Sequence, residues 1–143
     1  MNGNKDIQEK VIRYQILDGR IKALMKRREM LVVKMVEMET TLNSIEEIGK
    51  DKNNEILLPL GSNVHVPGSL KDIKRIVIEL GANVAVEEDV EEAKKILEKR
   101  KNMINEGVQA TEDEIVNLSN KFLILEAELR SLMEKDKTGS QAG

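Results

Sequence analysis

Side chains that could carry chemistry are few in this chain, and they do not gather into a recognisable set. The one histidine, His65, lies between Val64 and Val66, so it belongs to the opposite face of its strand and reads as a solvated residue. Cysteine is absent, which removes disulfides and thiolate metal sites. No glycine-rich phosphate loop, zinc spacing or nucleophile–base pair occurs. Glu87, Glu88, Asp89, Glu91 and Glu92 form an acidic run. At the start of a helix such a run complements the macrodipole, and a helix surface does not make carboxylates converge on a metal. Lys26-Arg27-Arg28 is the densest basic cluster and reads as a solvated helix face, and a net charge of -3 makes no electrostatic case for nucleic acid. These residues predict no enzyme, no metal, no cofactor and no nucleic-acid partner.

The elements that would position side chains are more informative. Charged residues make up 34% of the 143, while Tyr14 and Phe122 are the only aromatics. A compact core leans on aromatic area; this composition instead resembles that of long helices. No apolar run approaches membrane-spanning length, and the start "MNGNKDIQEK" has no apolar signal core. With the lack of cysteine, this leads to a cytoplasmic expectation without membrane association.

Two arms carry heptads. In the first, position a holds Ile7, Tyr14, Ile21, Arg28, Met35 and Leu42, and position d holds Lys10, Leu17, Leu24, Leu31, Met38 and Ile45. Only Arg28 and Lys10 break this apolar seam, which predicts a rod of roughly 60 Å. Asn4 or Asp6 would cap its start and Gly49 its end. The second seam runs Leu97, Lys101, Ile104, Val108, Thr111, Ile115, Leu118, Phe122, Leu125, Leu129, Leu132. Asp89 and Glu92 would cap that helix reciprocally. Gly107 and Thr111-x-x-Glu114 suggest a break, but the unbroken heptad phase predicts one continuous helix. Folded back as an antiparallel hairpin, the arms bring Tyr14 beside Leu123 and Phe122, and Leu31 beside Glu106.

Between the arms, four short strands are expected at Ile56–Leu60, Asn63–Val66, Arg75–Leu80 and Asn83–Glu87. Gly61-Ser62 and Gly81-Ala82 would be the turns of two hairpins, and Pro67-Gly68 a further turn. Such hairpins are marginal alone and leave open edges, so they are expected to complete a sheet or barrel with neighbouring subunits. The residues assigned to this oligomerisation are Ile56, Leu58, Leu60, Val64 and Val66, with Ile76, Ile78, Leu80, Val84 and Val86. The fold class is α+β. Residues 1–49 form the first helix, 50–87 the hairpins, 88–135 the second helix and 136–143 a flexible tail.

"EILLPLGSNVHVPG" followed by "IVIELGANVAVEEDVEEAKKILEKR" resembles the signature of α-class prefoldin subunits. The matching residues are Leu57, Leu58, Pro59, Leu60, Gly61 and Gly68, then Gly81, Val86, Glu87 and Ala93. Asn83 and Val84 stand where many α subunits have glycine and an aromatic, which leaves room for the diverged archaeal γ-type that forms filaments. The resemblance implies an ATP-independent chaperone whose hairpins build a β-barrel platform with β-class subunits or with further copies. It also implies that the coiled-coil ends hold unfolded clients and pass them to a group II chaperonin. Under that expectation the client-binding residues are Ile7, Val11, Ile12, Tyr14 and Ile16, with Phe122, Leu123, Ile124, Leu129 and Met133. The off-seam members of this set have a second reading, as flanking positions that thicken the two-helix contact, and Met30, Val32, Val33 and Val36 show the same surplus mid-arm.

Overall fold

A computed structural model describes residues 2–50, 55–71 and 73–141. Helix α1 (Asn2–Lys50) is followed by strands β1 (Glu55–Gly61), β2 (Val64–Ser69), β3 (Arg75–Gly81) and β4 (Val84–Asp89), then helix α2 (Val90–Gln141). The chain divides into two compact units. One takes in the chain through Val32 and from Asn105 onward, the other Val33–Ile104.

In the first unit the two helices run antiparallel. Lys10 Nζ meets Glu128 Oε2 at 3.1 Å, and Arg20 meets Glu114 at 2.7 Å. Tyr14 and Phe122 stack between these ion pairs, with ring centroids 4.4 Å apart and planes 29° from parallel. Gly107, half-buried, continues the helix: a Cβ built on it would lie 3.6 Å from Leu31 Cδ1, an ordinary contact. Thr111 is a buried polar member of the seam, and its hydroxyl donates to the Gly107 carbonyl at 2.7 Å. Asp18 accepts a hydrogen bond from Lys22 one turn on, at 2.9 Å, and this bond holds the ammonium pKa above its ordinary value.

Every position of both heptad seams is buried or half-buried, including the polar ones. A strict seven-residue repeat keeps one stripe of each helix against the other. In the second unit Lys101, another polar seam position, reaches Glu39 at 3.5 Å. Ala93 is fully buried near the start of α2, with Leu97 and Ile78 buried in the same unit.

Four terminal expectations change. Helix α1 begins at Asn2, so Asn4 and Asp6 are interior residues rather than caps. Gly49 stays helical and does not take a left-handed cap conformation. The Asp89 carboxylate caps α2 by accepting from the Glu92 amide at 2.8 Å, but the Glu92 side chain meets Lys95 rather than reaching back. Helix α2 continues through Gln141, across most of the stretch expected as a tail. With no tertiary seam to hold it, that last stretch is exposed through Gly139.

The strands form two separate antiparallel hairpins, β1–β2 and β3–β4. Their turns centre one residue later than expected, on Ser62-Asn63 (φ 50° and 63°) and Ala82-Asn83 (φ 52° and 62°). Two consecutive left-handed residues give the tight turn whose twist matches paired strands. Gly61 and Gly81 (φ 102° and 101°) sit where each register shifts by one residue. Pro67-Gly68 makes no turn. Both residues lie in β2, with Pro67 opposite Leu57 and Gly68 opposite Ile56. Gly68 serves by its small size, since a Cβ there would stand 3.3 Å from Leu58 Cδ1.

Candidate interaction surfaces

Within the first unit, the seam consumes the apolar residues that face the partner helix and leaves others outside. Ile12, Ile16, Leu123, Ile124 and Met133 are each more than half exposed, Ile16 at 63% and Leu123 at 60%. Isolated exposed apolar residues are normal on protein surfaces, but a cluster usually marks an interaction site. A groove of about 400 Å³ brings two of them together, Ile16 and Ile124. Ile16, Leu17, Ile124 and Leu125 give it apolar walls, and Arg13, Lys121 and Glu128 add charge. Glu128 is neutralised by Lys10.

The remaining residues assigned to client contact sit differently. Ile7, Val11, Tyr14 and Phe122 are half-buried, and Leu129 is buried at 8%. These hold the helices together and so support the exposed set from beneath. Met25 and Val116 are also exposed in this unit, off the seam and outside both the client-binding set and the mid-arm surplus expected from the sequence. Simple bookkeeping of off-seam apolar residues along the whole arm would have found them.

Within the second unit, the hairpins bury less than their alternation suggested. Ile78 is buried, and Ile56, Ile76 and Val86 are half-buried. Leu58, Leu60, Val64, Val66, Leu80 and Val84 are exposed. Leu58 faces Val66 across the first hairpin, and Ile78 faces Val86 across the second. The first hairpin therefore has an apolar face largely uncovered within one chain, while the second is uncovered only toward its turn, at Leu80 and Val84; each pairs its two strands only with one another among the described residues. His65 is exposed opposite Pro59. The mid-arm residues Val33 and Val36 are exposed in this unit as well.

The hairpins also show something the sequence reading missed. Each pairing of the second hairpin repeats one of the first 20 positions later, from Glu55↔Ser69 and Arg75↔Asp89 through Gly61↔Val64 and Gly81↔Val84. The repeat is carried by Leu60/Leu80, Gly61/Gly81, Asn63/Asn83, Val64/Val84 and Val66/Val86. On the outer face it leaves Leu57 and Val77 as counterparts, 65% and 66% exposed.

Paired antiparallel helices and twin β-hairpins, each with large apolar residues left at the surface, define a protein built around exposed apolar surfaces. The chain belongs to the prefoldin family: it matches the prefoldin subunit pattern over residues 17–135. It is 27% identical to prefoldin subunit alpha of Archaeoglobus fulgidus over 137 residues, 95% of this chain and 100% of that one. Prefoldin subunit alpha of Pyrococcus horikoshii is 24% identical over 121 residues, 83% of this chain and 82% of that one. The fold is that of filamentous PFD from Methanocaldococcus jannaschii, seen by cryo-EM, with a TM-score of 0.68 at 23% identity. That similarity covers 85% of this chain and 98% of the other. The family is one of non-enzymatic chaperones whose subunits assemble with other prefoldin subunits.

Proposed function

We propose that this chain is a subunit of an ATP-independent holdase that captures unfolded proteins on the apolar surface of its first unit. The reading rests on the exposed apolar residues Ile12, Ile16, Leu123, Ile124 and Met133, which the coiled coil does not need for its own seam and of which Ile16 and Ile124 meet at one groove. An unfolded client offers apolar segments without fixed geometry. A shallow, partly charged groove suits that class of ligand better than a small molecule, which would require an enclosing pocket. The hairpins, with their exposed apolar residues and open edges, serve as the platform on which β-class subunits or further copies assemble. Several arms then share one client, so weak individual contacts combine into firm holding. We place the assembly in the cytoplasm, delivering clients to a group II chaperonin. Membrane residence has no support in the helices, none of which is long and apolar enough to cross a bilayer among the described residues.

A second reading has its own support: the same edges could join copies of this chain into an open filament, the form recorded for the Methanocaldococcus jannaschii protein. Mass measurement of the purified chain alone, then mixed with a β-class subunit, separates the two. A closed mixed complex that protects a denatured protein without ATP is the expected result. Open-ended growth of the chain alone, indifferent to the β-class subunit, favours the filament, and an assembly that gives no protection refutes the holdase.

A further inference from the structure

The groove of the first unit carries more positive charge than an apolar holding surface requires. Its apolar walls are Ile16 and Leu17 on α1 and Ile124 and Leu125 on α2. Arg13 and Lys121 line it as well, one cation from each helix. Glu128 is the one carboxylate of the lining, and Lys10 holds it at 3.1 Å. With Lys10 counted, three cations stand against one anion, in a chain whose net charge is -3. The groove is a local reversal of the protein's charge.

Carboxylates within a turn of the groove do not offset it. Asp18 is held by Lys22 at 2.9 Å, and Glu126 by Arg130 at 3.2 Å. Among the described residues, neither Arg13 nor Lys121 has a carboxylate within ion-pair reach, and both are exposed. A lone exposed lysine or arginine is an ordinary surface residue. Two unpaired cations, one on each wall of an apolar groove, form a more particular arrangement. Basic side chains lay their stems along apolar walls and keep the charged head in water. There a guanidinium can donate two parallel N–H bonds to a carboxylate, and an ammonium acts as a point charge.

We propose that this groove selects, among unfolded segments, those in which an Asp or Glu flanks an apolar side chain. Ile16, Leu17, Ile124 and Leu125 take the apolar side chain, and Arg13 and Lys121 take the carboxylate beside it. The proposal rests on the holdase reading and adds the chemical class of segment held here. The apolar walls supply holding common to all clients, and the two cations are the specificity-determining residues. Ion pairs at an open surface are individually weak. The groove therefore favours a ligand that offers carboxylates and apolar groups in series, as a polypeptide does and a single fatty-acid anion does not.

The test uses the full-length chain in its assembled form and three short labelled peptides. These share one Leu/Ser frame and carry Glu, Gln or Lys at the same positions. Fluorescence anisotropy at low salt should show the Glu peptide binding about fivefold more tightly than the Gln peptide, with the Lys peptide weakest. At about 1 M salt, where the screening length is about 3 Å, the preference should shrink to about twofold or less. Arg13→Gln/Lys121→Gln should make the Glu and Gln peptides bind alike, at the wild-type affinity for Gln. Ile16→Ser/Ile124→Ser should weaken both peptides by the same factor and keep the preference. All four positions are exposed and off the seam, so helix content should not change. A Glu peptide that does not bind, equal affinity for Glu and Gln peptides in wild type, or a preference that survives the double Gln variant overturns the proposal. Decanoate that displaces the labelled Glu peptide at a lower concentration than the unlabelled peptide does assigns the groove to fatty-acid anions and overturns it too. Suppression of light scattering from a denatured protein is read separately: where it persists without the charge preference, the holdase reading stands and this inference alone falls.

Discussion

The stacked rings of Tyr14 and Phe122 pin the register of the first unit, and a double-mutant cycle measures how firmly. Replacing either ring by leucine keeps the seam apolar while removing the ring–ring contact at 4.4 Å. Both side chains are half-buried, so the loss of packed area should be about 1 kcal/mol per ring, below the cost at a fully buried site. Aromatic stacking adds about 1 kcal/mol that disappears with either ring. Each single substitution should then cost about 2 kcal/mol and the double about 3, short of additivity by the stacking energy. Amide hydrogen exchange around both positions, read by mass spectrometry, reports this locally. A coupling of 1 kcal/mol appears as about a fivefold departure of the double variant's opening constant from the product of the singles. Strictly additive effects would mean that the rings do not act as a pair, and would refute the pairing of these two helix positions.

Other consequences follow from single positions. Gly19→Ala, where nothing lies within 4 Å of the added methyl, and Gly107→Ala, where Leu31 stands at an ordinary 3.6 Å, should each stabilise the coil by up to about 1 kcal/mol in urea unfolding. Asp89→Ala removes the cap on the Glu92 amide and should cost about 1 kcal/mol, with faster hydrogen exchange confined to the first turn of α2. Asp at both Ile76 and Ile78 should dissociate the assembly in sedimentation while far-UV circular dichroism keeps its helical signal, because the arms have their own seam. An intact assembly would remove the hairpins from that role.

The coiled coil was legible because its constraint is written into every heptad: one apolar stripe must meet another, and residues such as Lys10 and Lys101 fit only with Glu128 and Glu39 beside them. The hairpins were legible as elements but not in detail. Gly61 and Gly81 look like turn centres, yet Asn63 and Asn83 tolerate left-handed backbone and take that position, leaving the glycines to the register shift. Pro67-Gly68 has the chemistry of a turn, but an outer edge needs no donor from proline, so the pair fits a strand equally well. The repeat behind the twin hairpins is masked by Pro59/Glu79, His65/Ala85 and Pro67/Glu87, substitutions at outward positions that alter the edge and spare the turn. For the surface set, heptad spacing separated seam from surplus, but only burial distinguished Val11, which flanks the seam, from Ile12 and Ile16, which remain exposed.

The account stands most directly on one comparison: light scattering of a denatured protein diluted into buffer without ATP, with wild type and a variant carrying Ser at Ile12, Ile16, Leu123, Ile124 and Met133. None of these five lies on a seam or in a hairpin, so assembly mass and helix content should be unchanged. The apolar area they offer, at about 25 cal/mol per Å², should be lost to the client. Protection should fall in graded fashion as the five are replaced in turn, because several arms share the load. Scattering suppressed equally by the two proteins at equal assembly concentration would contradict the claim that this surface holds clients.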